Sequence, residues 1–494
     1  MSTSGRHGMQ RQPLRLLREA GQPLVAEVRH DAAQLHRLRD AAFAILERTG
    51  ARYQSPRALG ILAEHGARVD RAAGVARLSP DLVQAALATV PRVFTLGSRD
   101  GSCDLAVGSG ATYCGPDGCG TEVVDWHSGE RRASTKADLA TITRMLDYLG
   151  SMQFWWPAVG AGDCGATAEL HELDAGWNNT VKHLQGMVNG ERAARYAVEM
   201  ARVVAGGAEA LRRRPVMSDL TTVVTPLLND RDGTEASLVF AEAGVPMCFA
   251  ATPCLGTTAP ATKAGAYALA VADLLSAIVP VQLAYPGAPV IASLTQIYAD
   301  PQTAAVMTAP LDHRALTLGT ALLHHVGLPA LSSFGGTDGE LPGTWQTGVE
   351  TLQSLLLAPL DGCELMTGVG LTDTYKLFTP ENLILDDDLY HRVRHAFLDI
   401  VVDDETLALD VIDAVGPGGH FLAQAHTRRH MPDAVLRAVT QQIDPAGRHY
   451  RDPVDVARER AHDILESYEP EPLGEDKQRE IAVILQAADR ELRR

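Results

Sequence analysis

Aromatic residues make up only 5% of this 494-residue chain, yet several stand at the ends of apolar runs. Trp155 and Trp156 close one run, Phe334 closes another, Tyr113 lies in a third, and Trp345 follows a glycine-rich loop. Rings lining a cavity attract a quaternary ammonium, a cation with no N–H to donate. The plainer role is packing at a barrel rim, and strand alternation lets only one of Trp155 and Trp156 point inward. Asp163, Asp338 and Glu340 stand at the same run ends and could steady a cation, with Asp338 and Glu340 the candidate catalytic pair. Hydroxyls at Thr221, Thr222, Thr252, Ser293 and Thr367 offer partners for a substrate carboxylate. Gly335 and Gly336, followed by Thr337, allow close approach of a ligand to the backbone.

Other motifs carry less. Gly160-Ala-Gly162-Asp-Cys-Gly165 spells G-x-G-x-x-G, but the next strand ends Gly186-Met187-Val188-Asn189 without the acid a dinucleotide ribose requires. It reads better as a loop at a strand mouth. Cys114 and Cys119 have zinc-like spacing but no second pair, so no metal site is expected. His426 and His430 share a helical face without the glutamate of H-E-x-x-H, which favours a solvated or interface face. Gly416-Pro-Gly-Gly419 reads as a helix stop and hinge, with no Lys-Ser/Thr to make it a P-loop.

The elements that must position these residues follow a rhythm. Apolar or β-branched runs occur at Ala111–Cys114, Met152–Val159, Val181–Val188, Val216–Val224, Val245–Thr252, Pro289–Leu294, Leu328–Phe334 and Cys363–Thr367. Helical stretches separate them, among them Lys136–Leu149, Glu191–Val204, Gly233–Ala243, Lys263–Val279, Ala304–Val326 and Thr347–Leu357. This alternation predicts parallel βαβ units, and eight of them predict an α/β fold of the (β/α)₈ TIM-barrel type, with a doubly wound sheet as the alternative. In such a barrel the C-terminal strand ends and their loops form the active face. The expected organisation is a disordered N-terminus over 1–30, a helical region with a strand-rich entry over 31–110, the barrel over 111–390, and a helical C-terminal region over 391–494. Helices are expected at Gln34–Thr49, Ser55–His65, Ser79–Thr89, His391–Ala414 and Glu475–Leu492.

A net charge of −17 disfavours a nucleic-acid partner and suits a small cation. No window long and apolar enough to span a bilayer is read, so no membrane partner is expected. Seven cysteines with irregular spacing suggest reduced thiols and a cytoplasmic location. Whether the chain forms a homo-oligomer is left open.

Several blocks resemble, in one order, the trimethylamine methyltransferase superfamily of corrinoid-dependent enzymes. They are GERRASTKADLA (129–140), TEASLVFAEAGVPM (234–247), PCLGTTAPATKAGAYALA (253–270), GAPVIAS (287–293), GGTDGELPGTWQTGVETLQSLLLAPLDGCEL (335–365) and VGPGGHFLAQAHTRRHM (415–431). The resemblance implies a (β/α)₈ barrel that moves a methyl group from a methylated amine to the Co(I) of a separate corrinoid protein. Founding members carry pyrrolysine near the stretch matching Phe334 to Thr337, and this chain has none. Members without it act on quaternary amines, glycine betaine first among them, so a betaine is the expected substrate. The strand end Met366-Thr367-Gly368 also lacks a histidine associated with many relatives. No D-x-H-x-x-G motif is present, so no tightly bound cofactor is expected and the corrinoid (cobalamin) would arrive on a partner. A betaine-binding or sensing barrel, and a lyase using Asp338 and Glu340 as acid–base groups, are the alternatives.

Overall fold

The computed structural model describes residues 30–492 apart from 119, 126–127, 301, 308–312, 333–335 and 435–437. Phe334, Gly335 and Cys119 therefore lie outside the described residues.

Eight parallel strands form one sheet. In chain order they are β1 (Tyr113–Pro116), β2 (Phe154–Trp155), β3 (His183–Gly186), β4 (Met217–Thr222), β5 (Met247–Ala251), β6 (Val290–Leu294), β7 (Ala330–Ser332) and β8 (Leu365–Val369). Each is followed by a helix: α1 (Lys136–Tyr148), α2 (Ala168–Asn179), α3 (Glu191–Ala205), α4 (Arg231–Ala243), α5 (Lys263–Ala284), α6 (His313–His325), α7 (Trp345–Asp361) and α8 (Pro380–Ala396). Each of the eight expected runs overlaps a strand, with β1 and β8 running two residues past the expected ends. Neighbours pair in the order 1-8-7-6-5-4-3-2, and β1 and β2 meet without a ladder. Gln153 spans that seam: its backbone N–H donates to Cys114 O, and its Oε1 accepts from Cys114 N–H, both at 2.7 Å.

Every residue of β5, β6 and β8 is buried, because helices cover one face and the lumen the other. Alternation sorts the side chains. Phe154, Trp156, Leu220, Cys248, Ile291, Leu331 and Leu365 fill the lumen. Trp155, Leu184, Met217, Phe249, Ala292 and Met366 face the helices. An antiparallel hairpin, Phe94–Leu96 with Leu105–Val107, packs on the inner set and closes the N-terminal end.

Three helices, Ala32–Arg48, Pro56–Glu64 and Pro80–Leu87, with a small antiparallel sheet, form the N-terminal unit against α5. Ser55 and Ser79 cap their helices ahead of Pro56 and Pro80, as the sequence pattern requires. After the barrel, helix Pro453–Ser467 packs on α8 and helix Glu475–Leu492 on α3.

Three expectations are corrected. Helix α6 starts at His313 rather than Ala304, because Ala304 takes a positive φ of 59° and Val306–Met307 pairs with Ile297–Ala299. The expected helix His391–Ala414 is instead α8, capped by Thr379 before Pro380, followed by separate short helices Asp404–Leu407 and Leu409–Val415. Ala408, at a φ of 52°, divides those two. The expectation of no bilayer-length apolar segment also fails. Helix α5, at 22 residues, is long and apolar enough to cross a membrane, and it is a mostly buried wall of this fold.

Candidate active site

The two ends of the lumen are chemically unlike. At the closed end, His183 is fully buried. A carbonyl only accepts, so Nδ1–H donates to Gly97 O at 3.0 Å, and Nε2 accepts from the Ser218 hydroxyl at 3.0 Å. Burial pushes its pKa down to about 4, which keeps the ring neutral. Tyr113, the first residue of β1, is at this end too, and its hydroxyl accepts from Ala106 N–H of the hairpin at 3.2 Å. Its expected place at the active face is corrected: it begins the strand that carries it, whereas the active face lies where strands end.

At the open end, Trp156 enters the lumen and Trp155 does not. The Trp155 indole N–H donates to Thr143 Oγ1 of α1 at 2.9 Å, so it is a packing residue of the wall. Trp156 Nε1 is buried with no hydrogen-bond partner. Leu184 pairs with Trp155, which sets Gln185 beside Trp156 in the parallel register. Gln185 is 1% exposed, and neither atom of its amide has a partner. Thr295, one alternation step past Ser293 on the lumen side, also has an unpartnered buried hydroxyl. Unpaired buried polar groups cost stability unless something else satisfies them, so the adjacent Trp156 and Gln185 mark a candidate ligand position.

Asp117 completes this end. It is 4% exposed and accepts from the Thr367 hydroxyl across the β1–β8 seam at 3.3 Å. The next residue, Gly118, leaves room for the indole: a Cβ there would stand 2.3 Å from Trp156 Nε1 and 2.8 Å from Met187 Sδ. A carboxylate, an aromatic ring, a thioether and an unpaired amide thus meet at one mouth. Thr222 and Thr252 are exposed on its rim and Ser293 is buried within it.

The loop after β7 is pinned from behind. Thr337 Oγ1 donates to Glu350 of α7, and Asp338 N–H donates to Glu350 Oε2 at 3.0 Å. Thr337 is therefore a fully buried brace of the loop, not an open substrate contact. Gly336 is packed under the Tyr375 ring, where a Cβ would meet ring carbon at 2.1 Å. Asp373, Thr374 and Tyr375 all take positive φ, a strained turn held by Asp373 N–H to Gly339 O (2.8 Å) and Thr374 N–H to Thr337 O (3.1 Å). Asp338 is half-buried beside this turn.

Two further expectations are corrected. Glu340 is exposed and pairs with Arg131 at 3.3 Å, and Arg131 also binds Glu122 and Asp373. That surface ion pair places it outside the lumen. Trp345 is 86% exposed at the first turn of α7 and contributes no wall to the cavity.

The weaker motifs resolve similarly. The loop 160–165 lies at the mouth of β2, where Ala161 N–H donates to Glu172 Oε1 at 3.0 Å. Burial raises that carboxyl to about 7. Asp163 Oδ1 accepts from Lys136 N–H at 2.7 Å, at the start of α1. Glu405, His426 and His430 bring ligand atoms within 4.8 Å of one another, but Arg429 already donates to Glu405 Oε1 at 2.5 Å. A guanidinium on the only carboxylate opposes a second cation, so this is an ion-pair cluster.

Gln185, Met187, Asp117 and Thr295 were missed by the sequence reading. Parity counted along Val181–Val188 would have found Gln185, and Asp117 stands just beyond an expected strand end.

A TIM barrel with a polar and aromatic mouth at the C-terminal strand ends defines a small-molecule enzyme of the α/β-barrel class. The family model for trimethylamine methyltransferase (MTTB) matches residues 5–491, and the chain belongs to that family of methyltransferases. It is 31% identical over 452 residues to trimethylamine methyltransferase MttB of Desulfitobacterium hafniense, covering 90% of each chain. It is 27% identical over 401 residues to the glycine betaine methyltransferase of D. hafniense strain Y51, covering 80% of this chain and 83% of the relative. The crystal structure of Methanosarcina barkeri monomethylamine methyltransferase matches at a TM-score of 0.51 and 12% identity, over 89% of this chain and 88% of that one.

Proposed function

We propose that the chain moves a methyl group from a quaternary amine, glycine betaine or a related betaine, to a corrinoid carried on a partner protein. The observation carrying this reading is the mouth itself: buried Asp117 and the Trp156 ring beside the unpaired Gln185 amide. Carboxylate and ring suit a trimethylammonium head. The Gln185 amide, the Trp156 N–H and the Thr295 hydroxyl suit a substrate carboxylate, which trimethylamine lacks.

The reaction asks little acid–base chemistry of the protein. The C–N bond breaks with its electron pair left on nitrogen, so the amine leaves neutral and needs no proton. The corrinoid supplies the nucleophile that accepts the methyl group. This chain fixes the head group, excludes water from the inner lumen and presents one methyl outward. The exposed rim at Thr222 and Thr252 leaves the mouth accessible to a partner. Asp338 orients the loop after β7 rather than shuttling protons. A reducing cytoplasm fits the free cysteines among the described residues.

The test mixes the chain with a competent corrinoid protein reduced to Co(I) and offers glycine betaine, proline betaine, carnitine or trimethylamine. Loss of the Co(I) absorbance with a betaine is expected. Betaine binding without that loss would move the reading to a binding barrel, and activity with trimethylamine alone would overturn the substrate.

A further inference from the structure

Nine methionines fall among the described residues, and six are walled into the fold. Met145, Met152, Met200, Met217, Met247 and Met366 are each at most 2% exposed. Met307 and Met431 stand on the surface, at 38% and 52%. Met187 belongs to neither group. It is half-buried at the mouth, on the residue that follows β3, and packs against the inner set of side chains.

The backbone fixes where its sulfur sits. Val188 N–H donates to Asp219 Oδ1 at 2.9 Å, and Met187 O accepts from the Asn189 side-chain amide at 3.3 Å. Alternation turns the side chains of Gln185 and Met187 to the same lumen face. Thioether and indole flank one point, since a Cβ on Gly118 would meet both Met187 Sδ and Trp156 Nε1. A thioether is a weak acceptor, and the Trp156 N–H beside it has no partner. A sulfoxide oxygen in the same place is a strong acceptor and pairs it.

We propose that Met187 is a site of reversible oxidation by peroxide, and that its sulfoxide shuts the mouth to substrate. A sulfur lone pair attacks one oxygen of hydrogen peroxide, and the O–O bond breaks with its electron pair on the departing hydroxide. The proton on the transferred oxygen passes to that hydroxide, which leaves as water. Sulfur is oxidised by two electrons and the peroxide reduced by two. Negative charge gathers on the new oxygen next to two unpaired donors, the Trp156 N–H and the Gln185 amide. Donors already in place where charge develops favour both the step and its product. The proposed substrate carboxylate would use those same donors, so the inhibition, unlike the oxidation, rests on the methyl-transfer reading. A sulfoxide oxygen occupies them and sets its own negative end where the carboxylate would lie. Sulfoxide reductases restore the thioether, which makes the closure reversible.

The test treats the purified full chain with graded hydrogen peroxide and reads each methionine by peptide mass. Met187 should gain one oxygen at least as fast as Met307, although it is the less exposed. After the peroxide is removed, betaine-dependent methyl transfer should be down by about tenfold or more. Methionine sulfoxide reductase with a thiol reductant should restore it, and the thiol alone should not. That arm separates the sulfoxide from oxidation at Cys103 or Cys164, the partly exposed thiols among the described residues. Met187→Leu, measured against its own untreated rate, should resist the treatment, whereas Met307→Leu with Met431→Leu should stay sensitive. Met187 left unoxidised while Met307 and Met431 are converted would overturn the proposal, as would an equal loss of rate in Met187→Leu and wild type. If Met187→Leu does not fold, rescue of the wild type by the reductase decides. Should the untreated chain transfer no methyl from any amine, the methyl-transfer reading fails, and the peptide masses alone decide the oxidation site.

Discussion

The floor and the mouth of the same barrel follow opposite rules. At the floor, each nitrogen of His183 has a partner and the Tyr113 hydroxyl is engaged by the hairpin. At the mouth, Gln185, Trp156 and Thr295 are as deeply buried, yet their polar atoms are unpaired. His183 is as buried as these mouth groups, but it alone is satisfied within the fold. Floor groups therefore repay their desolvation within the fold, whereas mouth groups are held ready for something that enters.

The sharpest way to break this contrast is Asp117→Asn. Asparagine still accepts from Thr367, so stability should barely change. The lost charge next to the cation should lower kcat/KM for a betaine by about 100-fold or more, measured in the corrinoid assay. Unchanged kinetics would remove Asp117 from the substrate site.

Gln185→Leu should raise KM for betaine by about tenfold and leave the melting temperature equal or higher, since it removes an unpaired polar group. His183→Ala is its mirror. It should destabilise by about 2 kcal/mol in denaturant titration, because it strips Gly97 O and Ser218 of their partner, while KM stays constant. Should Gln185 prove the stabilising residue and His183 the kinetic one, the contrast is inverted.

Asp386 tests whether height in the barrel matters or lumen exposure does. It lies behind the mouth in α8, where its Oδ2 accepts from Gly370 N–H at 2.8 Å and from Asn382 Nδ2–H at 3.0 Å. Burial raises its carboxyl to about 8. The folded state then holds a proton that the unfolded chain releases near pH 4, so this group's contribution falls as pH rises toward 8 and is constant above. Asp386→Asn should flatten the decline in melting temperature across that window relative to wild type, with no change in KM. The smallest effect belongs to Glu340→Gln, an exposed ion pair whose loss should alter kcat/KM by less than about twofold.

How much of this was legible in the sequence depends on what a given feature requires. The strand runs from Ala111 to Thr367 were readable because burial on both faces leaves an unmistakable apolar run between helices. Ser79-Pro80 announced its helix by capping chemistry that needs only local contacts. The acids of the loop after β7 misled, because charge near a strand end says nothing of which way it turns. Arg131, in the segment after β1, pairs with Glu340 at the surface, and Glu350 claims Thr337 from within α7.

Sequence by itself determined the class: period and composition fix eight strand–helix units, and a repeated local pattern admits few ways to bury itself. It also narrowed Trp155 and Trp156 to one inward ring without choosing. Only the tertiary structure chose Trp156, because the choice rests on where Thr143 of α1 meets the wall. It alone brought Asp117 to Thr367 across 250 positions. Closing a barrel joins the first strand to the eighth, and no local pattern records which side chains then face one another.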